Sequence, residues 1–420
     1  MQNIDKFICL SFVATIISST LLSSNQQGIC AICAIILTII KLLVTPNFKI
    51  SFKKNEIWLL TFFMIVLISV AGSSLLALSL KGFVKTCIYI CFYASIRIYF
   101  KDNLKKIPLF LAIIACCIGF ESIIAIMQNF AKVEAISGWQ DLSRLNPEQI
   151  MTRVYGTLKP YNPNLLGGYF VAGIPAVVGS CVYTLLNKNY KYSIIFAILL
   201  VTSFISLFLT GCRGAYLGLI TILFLIFLIS AKFLWKKYKT IFTSLIITTS
   251  IFIISAISAV SSLRARFLSI FAMRKDSSNA FRFNVYQSSI EMFKDNWLLG
   301  IGVGNKNFRE IYGLYMKTGF DALSAYNIFL EIAVESGVFA LIAFVGFLIC
   351  TIITAIKFIL NSKNLNNIIL VSIALISITA ILVHGMVDTV FFRPQIQFIF
   401  WTMVATISAI CHDNQDAIKI

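Results

Sequence analysis

The chain has 420 residues, of which 59% are hydrophobic and only 12% charged, with a mean hydropathy of +0.90. Soluble domains carry about 25% charged residues, so a soluble globular enzyme and a disordered chain are both excluded. The formal net charge of +18 must first be sorted by side of a membrane before it points to any partner.

A helix needs roughly 20 apolar residues to cross a bilayer. Such segments run over 7–23, 28–45, 57–78, 82–100, 107–130, 165–186, 192–209, 213–231, 240–260, 326–356, 367–385 and 394–411. The first resembles a signal-peptide core. It lacks a small-residue cleavage site and many spans follow, so it is read as a helix. The expected fold is all-α, a polytopic transmembrane helical bundle of about twelve spans. Helices 1–5 occupy 1–130, an exoplasmic loop 131–164, helices 6–9 165–260, a large exoplasmic loop 261–325, and helices 10–12 326–420.

Lysines sort the connections. Lys49, Lys53 and Lys54, then Lys101, Lys105 and Lys106, then Lys188 and Lys191, then Lys232, Lys236, Lys237 and Lys239, then Lys357 and Lys363 all fall on one side if both termini are cytoplasmic. That side then holds a single arginine, Arg97. Arg144, Arg153, Arg213, Arg264, Arg266, Arg274, Arg282, Arg309 and Arg393 fall outside. Orientation alone would treat Lys and Arg alike, whereas the planar guanidinium grips phosphate or carboxylate with two parallel bonds. The outer face therefore reads as an oxyanion site for a phosphorylated lipid. The alternative is AT-rich codon usage favouring Lys, with arginines kept for local ion pairs.

Eleven cysteines lie mostly in apolar runs, where a free thiol packs as a small hydrophobe. Cys30 and Cys33 form a CxxC on a membrane helix with no redox domain beside it. Only two histidines, His384 and His412, are present, too few for a His-rich metal site. No metal, no cofactor and no nucleic-acid partner is expected.

The loop over 261–325 carries an ordered pattern. Phe283, Tyr286, Ile290, Phe293 and Trp297 make one apolar stripe of a helix, with Ser277, Ser278 and Asn279 as candidate N-caps. An amphipathic helix with Tyr and Trp beside a membrane is expected to lie in the interface. No internal or inverted repeat is visible.

Several residues carry chemistry. Arg213, in Thr210-Gly211-Cys212-Arg213-Gly214, lies where two spans meet outside: it either grips phosphate or snorkels to headgroups. Arg282 opens the amphipathic helix, where a basic residue opposes the macrodipole unless an anion binds. Gly300-Ile301-Gly302-Val303-Gly304 is a helix-ending turn or, more weakly, a phosphate cradle. Glu331 and Glu335 are i, i+4 near the start of a span, to hold substrate hydroxyls or to pair with arginines. His384 and Asp388 would also be i, i+4 on a helix, a pairing that fixes a basic tautomer, with Arg393 nearby; a structural histidine is the alternative. Glu121 sits mid-span, either functional or a protonated, hydrogen-bonded anchor.

With these residues in hand, a family comes into view. Cys212-Arg213-Gly214, Arg282 to Trp297-Leu-Leu-Gly-Ile-Gly-Val-Gly304, and Tyr326-Asn327-Ile-Phe-Leu-Glu331 to Glu335-Ser-Gly337 resemble the O-antigen ligase superfamily. Leu323-Ser-Ala-Tyr326, Arg153-Val-Tyr-Gly156 with Asn162-Pro-Asn-Leu-Leu-Gly-Gly-Tyr169, and His384-Gly-Met-Val-Asp388-Thr with Arg393-Pro are similar to its inorganic-carbon (bicarbonate) transporter branch. The resemblance implies a metal-independent, inverting C-type glycosyltransferase in the bacterial inner membrane. Such an enzyme moves glycan from an undecaprenyl-diphosphate carrier to an acceptor hydroxyl on a glycan or lipid-linked sugar. It implies diphosphate binding by Arg213 and Arg282. The family's histidine base falls on Tyr326, and a phenol of ordinary pKa of about 10 is a poor base. His384 or Glu331 is then expected to activate the acceptor, with Tyr326 positioning it and Asn327, Glu335, Asp388, Arg393 and Arg153 in support. The alternatives are bicarbonate transport and a lipid-binding scaffold without catalysis.

Overall fold

The structure is a computed structural model that describes residues 2–45, 52–131, 153–259, 264, 268 and 277–417. Every described regular element is helical. In chain order they are α1 (Gln2–Leu21), α2 (Ser24–Val44), α3 (Lys54–Ala71), α4 (Leu76–Asp102), α5 (Ile107–Phe130), α6 (Pro163–Leu186), α7 (Tyr190–Leu209) and α8 (Arg213–Ala259). Then follow α9 (Ser277–Asp295), α10 (Asn305–Tyr312), α11 (Ile328–Asn361), α12 (Leu365–Gly385) and α13 (Pro394–Ala417). Among the described residues, 11 helices are long and apolar enough to cross a membrane. The chain is a multi-pass, all-α membrane bundle.

The ninth expected span, 240–260, is not a separate helix. It continues α8, a single helix of 47 residues. The lysine run Lys232–Lys239 carries the charge of a connection, but it contains neither Gly nor Pro, and Lys, Leu and Trp all sustain a helix. Lys232 instead donates to the carbonyls of Ile359 (2.8 Å) and Leu360 (2.9 Å), the unsatisfied C-terminal end of α11.

Enclosure separates the helices. The spans of α6, α12 and α13 are mostly buried, while those of α2, α4 and α7 are mostly exposed along their apolar faces. α6 packs against α5, α7 and α12, and α11 runs along α3. Lys41 ties Asp5 (2.9 Å) and Asp102 (2.8 Å) together at one end of the bundle, and Arg97 pairs with Glu56 nearby.

The other end carries the site. Here Glu121 accepts from the Thr157 amide at 2.9 Å and from the Thr157 hydroxyl, which also donates to Thr20 O. Gln128 grips the same segment through Tyr155 N, Gly156 N and Gly156 O. The intramembrane acid is thus an anchor for the segment after residue 152. It does not line any of the site's clefts.

A cap covers this end. Val285 and Met292 of α9, Phe308 and Tyr312 of α10, with Ile301, Ala322, Ala325 and Val334, form a second hydrophobic core. Of the expected stripe, Phe293 packs against this core, while Ile290 and Trp297 are 44% and 52% exposed. The helix therefore has two apolar faces, one for the protein and one left outward. The helix stops at Asp295, so Trp297 lies just beyond it.

The glycine-rich loop joins cap to bundle. Ile301 N donates to Val334 O (3.0 Å), Gly302 N to Glu335 O (2.8 Å), Val303 N to Ser79 Oγ (3.0 Å) and Gly304 N to Glu335 Oε1 (2.9 Å). These amides are spent within the protein, so the loop is a structural junction and not a phosphate cradle. Glu335 is committed to the same junction.

Candidate active site at the capped end of the bundle

Four separate segments meet in one polar chain. Arg153 donates through Nε to Thr210 O (2.8 Å) and through Nη2 to Asn164 Oδ1 (2.5 Å). Asn164 sits at the start of α6, where the Asn162 side chain caps its amide at 2.8 Å. Its Nδ2 donates to Asp388 Oδ2 (3.0 Å). Arg282 Nη2 reaches the same oxygen at 3.3 Å, and Arg282 Nη1 donates to Ser278 Oγ (2.8 Å). The Arg282 guanidinium lies 5.8 Å from the centroid of the Tyr326 ring, in a cation–π contact.

This chain walls a cleft of about 1160 Å³, lined by Arg153, Asn164, Arg282, Tyr326, Asp388 and Arg393. Arg213 is not in it. With Arg282, Asn279 and Tyr286 it lines a smaller cleft of about 180 Å³. Arg282 thus belongs to both, and the two arginines singled out by motif converge across the α8–α9 gap. Arg393 also borders a groove of about 400 Å³ between α2, α4 and α13. Sequence reasoning missed Lys85, Lys306 and Asn305, which line the large cleft as well. The signal was Lys81 and Lys85, i, i+4 at the start of α4, which place lysines at the arginine-bearing end.

The candidate bases fare differently. Tyr326 faces the cleft, but burial and the neighbouring Asp388 push its phenol up to about 12. It therefore stays protonated at neutral pH and serves as a donor and platform. Its backbone is left-handed, with φ 52°, held by Tyr286 Oη on its carbonyl at 3.2 Å. Asn327 is the N-cap of α11, accepting from Phe329 N and Leu330 N, both at 3.0 Å. Glu331 is buried and lines a different cavity, of about 470 Å³, together with Glu335.

His384 is wholly buried, gripped between Gly168 and Gly214 and outside the lining of the large cleft. The helical i, i+4 pairing with Asp388 does not form, because α12 ends at Gly385. Asp388 instead accepts from its neighbour Thr389 N at 2.7 Å. His384 Nε2 stands 3.6 Å from Cys212 Sγ, and its Nδ1 has no hydrogen-bond partner among the described residues.

Cys212, His384 and Asp388 place ligand atoms within 4.8 Å of one another. With no ion bound, burial and then Asp388 push the Cys212 thiol up to about 11. A cation there would also meet Arg282, already 3.3 Å from the Asp388 oxygen.

What the arrangement offers is anion binding beside a buried carboxylate. Forked guanidiniums from several segments suit an oxyanion that grows in charge, and a preorganised site of that kind needs no metal to stabilise it. A family model described as O-antigen ligase matches residues 198–345, from within α7 into α11, and so spans Arg213, Arg282, Tyr326, Glu331 and Glu335. It is the ligase description that matches, and it lends the bicarbonate-transporter branch no support. No curated protein matches the chain. Over residues 198–345 the chain is similar to the O-antigen ligase family, whose members are membrane glycan ligases and polymerases.

Proposed function

We propose that the protein transfers a glycan from an undecaprenyl-diphosphate carrier to an acceptor hydroxyl, as a ligase or polymerase, on the exoplasmic side of the bacterial inner membrane. The lysine-bearing side is then cytoplasmic. The observation that carries this reading is the convergence of Arg213 and Arg282 across one gap, with Arg282 opening onto the large cleft. Arg213 and Arg282 hold the diphosphate, which leaves as a stabilised anion, so the protein supplies charge and orientation. Arg153 and Arg393 hold the walls of the cleft that receives glycan and acceptor.

Binding of undecaprenyl diphosphate to the purified protein in nanodiscs tests this. Wild type is expected to bind, and Arg213→Ala to bind at least roughly tenfold more weakly, as for loss of one charge-assisted contact. Absence of binding to wild type would overturn the reading.

Tyr326 gives a second expected result. Tyr326→Phe keeps the ring under Arg282 and removes only a hydroxyl that stays protonated. Transfer is expected to stay within about tenfold of wild type, while Tyr326→Ala, which removes the platform, loses more. Surface glycan per cell measures both. A Phe variant as inactive as an arginine deletion would show that the hydroxyl does chemistry.

A further inference from the structure

The cleft holds two carboxylates, Glu310 on its exposed rim and Asp388 in its wall. Asp388 is only 2% exposed. Its Oδ1 takes the Thr389 amide at 2.7 Å, and its Oδ2 is shared between Asn164 at 3.0 Å and Arg282 at 3.3 Å. The bond to Arg282 is thus the longest of the three and uses one nitrogen of the fork. A phosphate offers the same guanidinium two short parallel bonds, which is the better geometry. The Arg282 Nε is buried without a hydrogen-bond partner among the described residues, so the fork has capacity that Asp388 does not use. Arg282 also faces both the Arg213 cleft and the large cleft, so a short swing exchanges one anion for the other.

The other candidate bases lie elsewhere. His384 is enclosed behind Asp388, Glu331 opens on another cavity, and Tyr326 keeps its proton. We propose, on the transfer reading above, that Asp388 is the general base and that the donor's own diphosphate switches it on: the phosphate takes Arg282 from Asp388, and the released carboxylate then accepts the acceptor's proton. In the step, the acceptor O–H bond breaks and its proton passes to Asp388. The acceptor oxygen forms the new bond to the sugar carbon. The bond from that carbon to the phosphate oxygen breaks, and the electron pair leaves on undecaprenyl diphosphate, held by Arg213 and Arg282. A base that is paired until the donor arrives gives an ordered reaction, donor first, which protects the acceptor site from idle deprotonation.

The test separates binding from transfer. Asp388→Asn keeps the shape and one acceptor oxygen but removes the charge that competes for Arg282. It is expected to bind undecaprenyl diphosphate roughly fivefold more tightly than wild type, the scale of one modest ion pair. It is also expected to lose transfer by at least about a hundredfold, as for loss of a general base. In an Arg282→Ala background the Asn change should leave affinity unmoved, since the competition runs through that arginine. A carboxylate that only props up Arg282 predicts the reverse, weaker binding in Asp388→Asn, and that result would overturn the proposal. So would retained transfer. Should Asp388→Asn fail to fold, Asp388→Glu keeps the charge and moves it by one methylene. It should bind like wild type and transfer at least tenfold more slowly, and full transfer would again overturn the proposal. If wild type and all variants fail to bind the lipid, the transfer reading itself falls. If wild type binds in an Arg213-dependent way and Asp388→Asn neither tightens binding nor loses transfer, only the switch falls.

Discussion

Arg282→Ala is expected to reduce surface glycan by at least about a hundredfold while leaving the protein folded and in the membrane. Removing one preorganised donor to a developing oxyanion costs on the order of 10²–10³ in rate. Arg282 should sit at the upper end of that range, because it belongs to two clefts at once and stacks on Tyr326. Arg282→Lys keeps the charge but loses the fork, the flat stacking surface and the second bond, so it should recover only a small part. The fold should tolerate either change. The guanidinium bonds Ser278 and Asp388 at the edge of the cap, and the cap's core is made by Val285 and Met292 on another face of α9. Glycan yield and protein level, measured together, decide it. An Ala variant with wild-type glycan would remove the arginine pair from the mechanism.

Gly337→Ala is expected to cost several kcal/mol of stability. Gly337 interrupts α11 with φ 80° and ψ 176°, a region essentially reserved for glycine. Its strain for any other residue is about 1–3 kcal/mol. A Cβ would also lie 2.1 Å from the Leu298 carbonyl oxygen, which is backbone and cannot step aside. Val338 N donates to Trp297 O at 2.9 Å at the same crossing, so the two strands of chain cannot part without losing that bond. Gly28→Ala is the control. It lies in the interior of α2 with open space around the added methyl, where Ala improves a helix by about 0.5–1 kcal/mol. Thermal unfolding in detergent should move the two variants in opposite directions. Equal melting points would refute this account of the junction.

Much of this was legible in the sequence because bilayer spans are long, apolar and cheap to recognise. The span lost was one where a lysine run imitated a turn. Charge marks a connection only if the backbone also has a reason to break, and 232–239 gives it none. Motif points to Arg213 and Arg282, and their shared cleft depends on how α9 is laid over α8, which no local pattern encodes. The His384–Asp388 spacing suggested a helical pair, but Gly385 ends the helix between them and frees Asp388 to meet Arg282 and Asn164. Asn164 stands out in the sequence only as part of the Asn162–Tyr169 run, since an Asn after Asn162-Pro163 reads as capping alone. The glycine-rich loop reads as a helix-ending turn and more weakly as a ligand cradle, because the same freedom of φ serves both ends, and only the partners of its amides tell them apart.

The grip on His384 has a consequence for how this sequence can drift. A methyl added at Gly214 would lie 2.5 Å from its Cδ2 and 2.8 Å from its Nε2, and one at Gly168 would lie 3.2 Å from its Cε1. The ring is bounded on both sides by backbone with no side chain to yield. Positions 214 and 384 therefore behave as one unit of inheritance: a lineage that enlarges Gly214 must in the same stroke shrink residue 384, whereas a methyl at Gly168 meets Val390 Cγ2 first, at 2.8 Å.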